Sequence, residues 1–251
     1  MRKFLVVIAA LAVMAMTAAR PGADALDRQG CTVRIDTLRP AVRLIFSADS
    51  MFEGGAYALD VMRSRDVQAS FFFTGNFLRD TANRAIIESA IADGHYVGPH
   101  GDRHILLADW DAERTPLVSV DSMLADWQAN YAELRRFGIE RDSARHVLPS
   151  FEWCSALHTG AMRADGLIPV NIIPGVDTYR DYTTPDMAEY KTSDYMLAHL
   201  WDFEERRGLN GAVIILHLGT QPARTDKLYR HLPEIIDTLR ARGYSVERVD
   251  R

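Results

Sequence analysis

Continuous apolar runs alternate along this chain with runs whose apolar residues recur at helical spacing, a pattern that predicts a parallel sheet or barrel covered by helices. Val42–Ser47 reads as a short buried strand, and Ala56–Arg63, after the Gly54-Gly55 break, as a helix. Val67–Phe73 is the next expected strand, closed by Thr74-Gly75-Asn76. Asn83–Ala92 reads as a helix, apolar at Ala85, Ile86, Ala90 and Ile91 and ended by Asp93-Gly94. His95–Gly98 is a third strand that runs straight into His100, and Val120–Arg136 is a long amphipathic helix carrying Trp127 and Tyr131. Further strands are expected at His146–Leu148, Ile168–Ile172, Ala212–Leu216 and Tyr244–Val249, with helices at Ser193–Arg207 and Lys227–Arg242 and a polar, Pro- and Tyr-rich loop from Pro174 to Tyr190. No internal repeat, low-complexity stretch or linker interrupts the pattern, so one α/β domain is expected.

The first residues change the picture. Met1-Arg2-Lys3 and the apolar run Phe4–Met16 fit a secretory signal peptide and are short for a membrane span. Ala23-Asp24-Ala25 is a small-residue cleavage site, with Thr17-Ala18-Ala19 as an alternative. Residues 1–25 are therefore expected to be a leader and residues 26–251 the mature domain, exported to the periplasm or medium. An uncleaved N-terminal anchor is the competing reading, and no later segment is apolar enough to cross a membrane. The net charge of −5 comes without a basic stripe interleaved with aromatics, which argues against a nucleic-acid partner. The two cysteines, Cys31 and Cys154, form no framework; in an exported chain they could pair, or remain free buried thiols.

Candidate chemistry falls just after the expected strands, at Asp49, His100, Pro149, Asp177 and His217, and parallel α/β folds gather their reactive groups at that end. His100 and His104 lie four residues apart on the glycine-containing loop Gly98–His104 and can aim at one point. With the carboxylate of Asp49 they form the kind of open three-ligand set that a divalent metal such as zinc accepts. A bare pair of histidines at this spacing is more often a pair of satisfied loop residues, and a lone Asp after a strand is often a turn residue bonded to backbone amides; the shared strand-end placement favours the metal. His217, after Ile214-Ile215-Leu216, is placed as a general acid rather than as a satisfied core histidine. Thr220, Arg224 and Asp226 either line the same mouth or start the last helix, with Thr225 or Asp226 as its cap. Glu152 is a candidate base or substrate contact as readily as a surface residue, and Trp153 a sugar-stacking platform as readily as a core residue.

With these pieces in this order the chain resembles the polysaccharide deacetylase family, the NodB-homology or carbohydrate esterase 4 group, over roughly Val42 to Val249. Leu44–Asp49 stands where that family has Thr-Phe-Asp-Asp-Gly, and Val67–Gly75 is similar to the strand that follows it. Gly98–His104 matches the two histidines of the metal motif, Leu148–Phe151 stands where the family has Arg-x-Pro-x-Gly, and Leu216-His217 matches the Leu-His pair. The resemblance implies a distorted (β/α) barrel of the NodB-homology type, a divalent metal (zinc, with cobalt or nickel as alternatives) on Asp49, His100 and His104, and His217 as acid. It implies an acetylated glycan as substrate. Two departures stand out: the first motif keeps one Asp, and the Arg that orients the base is absent around Leu148. Glu152 is the nearest replacement for the base, with Asp49 in that role if it is not a ligand, and Asp177 or Asp181 could stand where the family has the Asp that tunes the catalytic His. Two readings compete with a metal-dependent deacetylase: a catalytically silent carbohydrate-binding protein, and an amidohydrolase acting on a non-sugar amide. Intact-mass measurement on protein recovered from the periplasm or medium should show the loss of residues 1–25; a mass that retains them would make the segment an anchor.

Overall fold

The structure, a computed structural model, describes residues 23–251, so the expected leader lies outside the described residues except for its last three, of which Ala25 is paired in the first strand. In chain order the elements are β1 (Ala25–Leu26), β2 (Thr32–Arg34), β3 (Ala41–Ala48), α1 (Gly55–Ser64), β4 (Ser70–Phe73), α2 (Gly75–Arg79), α3 (Arg84–Ala92) and β5 (Tyr96–Pro99). There follow α4 (Val120–Arg135), β6 (His146–Val147), α5 (Ala156–Ala164), β7 (Ile168–Pro169), α6 (Ser193–Arg207), β8 (Val213–His217), α7 (Leu232–Ala241) and β9 (Ser245–Glu247).

The main sheet has the order β5-β4-β3-β8 with every pairing parallel, and β9 runs parallel beside the start of β3. β6 and β7 form a separate parallel pair. Single backbone bonds link the pieces into a ring: Leu148 N–H donates to the Pro99 carbonyl at 3.2 Å, and Ile173 N–H to the Val213 carbonyl at 2.9 Å. This is the distorted (β/α) barrel expected from the motifs. All eight residues of β3 are buried, as a strand covered on both faces requires. Beside it Phe71, Phe72 and Phe73 have no exposure, and Phe46 stacks on Phe71 at 5.1 Å between ring centres.

Several expected boundaries move for local reasons. The strand expected over Ile168–Ile172 is regular only at Ile168–Pro169; Val170 N–H still donates to the Val147 carbonyl at 2.9 Å, but the chain then turns to β2, where Asn171 N–H donates to the Thr32 carbonyl at 2.9 Å. The last helix begins at Leu232, with Pro233 in its first turn, after a short 3-10 turn at Leu228–His231 rather than at Lys227. Neither Thr225 nor Asp226 caps it. Asp226 Oδ2 instead accepts the Ser193 N–H at the start of α6, at 2.6 Å. The Pro174–Tyr190 loop contains a 3-10 turn at Thr178–Tyr182. Helix α5 has no counterpart in the apolar pattern because its inner face includes the polar His158 and Thr159; the Ser155 hydroxyl caps it, and His158 is satisfied by Ser155 and by the Val118 carbonyl.

Candidate active site

Because β3, β4, β5 and β8 are parallel, their C-terminal ends open on one side of the ring. There a cleft of about 430 Å³ is lined by Asp49, His100, His104, Glu152 and His217, so all five candidate residues meet in it. Ser47 lies opposite His217 in the β3–β8 register and also faces the cleft.

His217 is held by a buried carboxylate. Asp181 accepts the His217 backbone N–H at 2.8 Å and its Nδ1–H at 2.6 Å, which leaves Nε2 facing the cleft. Burial alone would lower the pKa of this imidazole, but the charge and hydrogen bond of Asp181, with Glu152 beyond, outweigh it and raise the value to about 9. At neutral pH it is an imidazolium with a proton to give. Asp177, the other candidate for this partner, is bonded instead by Arg180 at 3.3 Å.

Glu152 faces this cation. Burial raises its pKa to about 7, Asp181 adds to the rise, and His217 opposes it. The backbone that places it is strained: Phe151 and Glu152 are consecutive non-glycine residues at φ 61° and 53°. The Asn171 side-chain amide holds the Glu152 carbonyl at 2.9 Å.

His100 is fixed from three sides. Its N–H donates to Asn130 Oδ1 at 2.9 Å, its carbonyl accepts from the Ser150 hydroxyl at 2.8 Å, and Nδ1–H donates to the Leu148 carbonyl at 2.9 Å. Nε2 therefore carries the free lone pair, 3.8 Å from Glu152 Oε1. Burial, reinforced by His104, pushes its pKa well down, so the ring is neutral. His104 has φ 52°, stacks on Phe151 at 4.3 Å, and sits 4.9 Å from His100 between ring centres. Burial lowers its pKa too, against the pull of Asp49. The loop between them turns at Gly101, φ 82°, and α4 braces it: Asp126 accepts the Asp102 N–H at 2.7 Å one helical turn from Asn130.

Asp49 Oδ1 accepts from the Thr74 hydroxyl at 2.9 Å and the Asn76 amide at 3.1 Å. Among the described residues no group of three or more His, Cys, Asp or Glu stands gathered around a single metal position. The donor chemistry nevertheless suits a divalent ion, since two neutral imidazoles and a carboxylate line one cleft and the Leu148 carbonyl orients His100 as a ligand is usually oriented. Asp102 is held by Arg79 at 2.5 Å and takes no part. Nor do Thr220 and Arg224: Glu53 bonds the Thr220 N–H, and the fully buried Arg224 braces the Thr183 and Lys191 carbonyls.

The rim is aromatic. The Trp153 indole N–H is bonded to the Asp109 carbonyl, and Arg114 covers its ring at 3.6 Å, so Trp153 is a buttress. The most exposed aromatic of the rim is Trp110, 58% exposed and 5.1 Å from Trp153, with Tyr182 and Phe151 exposed beside the same cleft. A second cavity of about 760 Å³ adjoins the cleft and shares Trp110, Phe151, Glu152 and Tyr182 with it.

Residues 39–130 match the family model for polysaccharide deacetylase. An uncharacterized 30.6 kDa protein of Geobacillus stearothermophilus is 22% identical over 242 residues, spanning 90% of this chain and 76% of that protein. Among solved structures, a CE4 family pseudoenzyme from Bacillus anthracis superposes with a TM-score of 0.68 at 16% identity, covering 88% of this chain and 68% of that one. A mutant of it is described as having restored enzymatic activity. A family 4 acetyl xylan esterase from Clostridium thermocellum, solved with a cobalt ion, gives 0.62 at 21% identity over 84% of this chain and 88% of that one. The chain thus has the NodB-homology fold that its motifs implied, and its first half matches the polysaccharide deacetylase model.

The groups facing His217 are Asp181, Glu152, the neutral His100 and His104, and the Tyr182 ring. NMR titration of the His217 ring should therefore show a midpoint near 9. In Asp181→Asn the midpoint should fall, since burial then acts with less to oppose it. Because the folded value is raised, this pair stabilises the fold below the ordinary histidine pKa and the contribution is lost as pH rises through about 9. An unchanged midpoint in Asp181→Asn would remove Asp181 from this role.

Proposed function

We propose that the protein removes N- or O-linked acetyl groups from a saccharide or polysaccharide, outside the cytoplasm. The observation that carries this reading is the Asp181-held His217 facing Glu152 across a cleft that also holds two neutral imidazoles. Two titrating groups with pKa values near 7 and 9 supply a base and an acid around neutral pH. Glu152 takes a proton from the attacking water, and His217 gives one to the departing amine or alkoxide.

His100 and His104, with the second oxygen of Asp49, would hold the divalent ion, zinc or else cobalt or nickel. Such an ion supplies Lewis-acid polarisation of the acetyl carbonyl and a water of lowered pKa. The chain's own contribution is to keep both imidazoles neutral and His100 Nε2 free. Trp110 gives a sugar ring a face to stack on, and the adjoining cavity gives room for a neighbouring unit of the same glycan.

A second reading, a silent carbohydrate-binding protein, is favoured by the end of β3. Its last two residues are Ser47 and Ala48, and the nearest carboxylate, Asp49, spends one oxygen on Thr74 and Asn76.

Acetate release over a panel of acetylated glycans, with zinc or cobalt present, separates the two. The expected result is release that falls about 10²- to 10⁴-fold in His217→Ala while bound metal is unchanged. His100→Ala should lose zinc, as read by elemental analysis, because two ligands hold a divalent ion poorly. Trp110→Ala should raise KM for oligosaccharides more than for a small acetate ester. Bound metal and measurable sugar binding without any release would favour the silent protein, and release that survives His217→Ala would take that residue out of the mechanism.

A further inference from the structure

We propose that Cys31 and Cys154 are joined by a disulfide in the working protein, and that this bond bolts the β1–β2 hairpin to the loop carrying Glu152. The two Sγ atoms lie 3.6 Å apart, both residues are fully buried, and 123 residues of sequence separate them. Contacts independent of sulfur hold each backbone in place. On the hairpin side, the Thr159 hydroxyl donates to the Gln29 carbonyl, and Arg163 donates to the Gly30 carbonyl at 2.8 Å. The Asp27 carboxylate accepts the Cys31 N–H at 2.9 Å, closing the turn. On the other side, Cys154 precedes Ser155, the cap of α5, and its carbonyl accepts from Arg114 at 3.2 Å.

With both ends held, side-chain rotation is the main movement needed to bring the sulfurs to the roughly 2.05 Å of a disulfide. A metal does not account for the pair, because among the described residues no third His, Cys, Asp or Glu joins it as a ligand group. In the reaction each thiol gives up its proton, the Sγ–Sγ bond forms, and the two electrons reduce a small disulfide oxidant such as oxidised glutathione to two thiols. Neither sulfur is exposed in the fold, so the bond forms while the chain is folding.

The consequence reaches the cleft. Cys154 lies two residues after Glu152, whose backbone is held at an unfavourable φ, and strain of this kind persists only where the surroundings over-determine it. A covalent tie to the hairpin adds one more constraint on that loop. The inference rests on the proposed location outside the cytoplasm, where a small disulfide oxidant is at hand, and not on the hydrolytic reading.

The test is to unfold the full chain, refold it in a buffer of oxidised and reduced glutathione, and count thiols by maleimide labelling and mass spectrometry under denaturing conditions. The expected result is no free thiol, a cross-linked peptide containing Cys31 and Cys154, and a thermal midpoint that drops by roughly 5–15 °C when the chain is instead unfolded and refolded in dithiothreitol. The drop should vanish in Cys154→Ser and in Cys31→Ser. Two free thiols after refolding, or each cysteine capped separately by glutathione, would overturn the pairing. A cross-linked protein whose midpoint ignores the reductant would overturn the bolt.

Discussion

The site depends on a strand that is buried from end to end. β3 pairs in parallel with β4, β8 and β9, and every residue along it is buried, with only Ser47 and Ala48 at its end touching the cleft. Parallel pairing allows no tight hairpin, so every return passes over the sheet, and the strand ends that follow collect on one side. That constraint brings Asp49, Thr74, His100 and His217, distant in sequence, to a common mouth. The phenylalanines of β4 and α2 pack beneath it, Phe73 stacking on Phe77 at 4.6 Å, and give the polar groups above a floor that water does not enter.

Burial then does opposite things to chemically similar groups, depending on what faces each one. His100 and His217 are both enclosed. His100 meets a carbonyl and another imidazole and stays neutral, whereas His217 meets a buried carboxylate and stays protonated. Glu152, with no arginine or lysine bonded to it among the described residues, is raised to about 7 by its burial, against the pull of the cation opposite. One cleft thus contains a lone-pair donor, a proton donor and a carboxylate that changes state near pH 7. That separation of roles comes from the second row of residues, Asp181, Leu148 and Asn130, more than from the lining itself.

What the sequence made legible follows the same division. Apolar runs and helical spacing located the strands and most helices, because each answers to burial on a fixed period. The lining residues were visible because His and Asp directly after a buried strand are conspicuous. The supporting row was not. Asp181 could not be told from Asp177 by spacing, since the choice depends on a 3-10 turn that packs on β8. Asn130 and Asp126 sit on the inner face of a helix whose helical period is marked by its apolar residues alone. Trp110 stands in the polar loop Asp109-Trp110-Asp111, where no periodicity marks it, whereas Trp153 stands beside a motif and is covered by Arg114.

The departures from the family pattern have a common physical sense under the proposed reading. A base at the end of β3 would need an orienting arginine across the cleft, and this chain lacks that arginine around Leu148. With Ser47 and Ala48 at the end of β3, there is no carboxylate there for such a cation to neutralise, and a buried arginine without its partner would be costly. The carboxylate comes from the other wall instead, on a loop that reaches the cleft only by adopting two left-handed residues in succession. Each such residue costs on the order of 1–3 kcal/mol, and a loop free to relax would not keep them. Here Asn171 holds the Glu152 carbonyl, Ser150 is bonded to His100, and the ring of Phe151 lies on His104. The same contacts that stabilise the strained loop also position the imidazoles, so the two halves of the site are built as one unit.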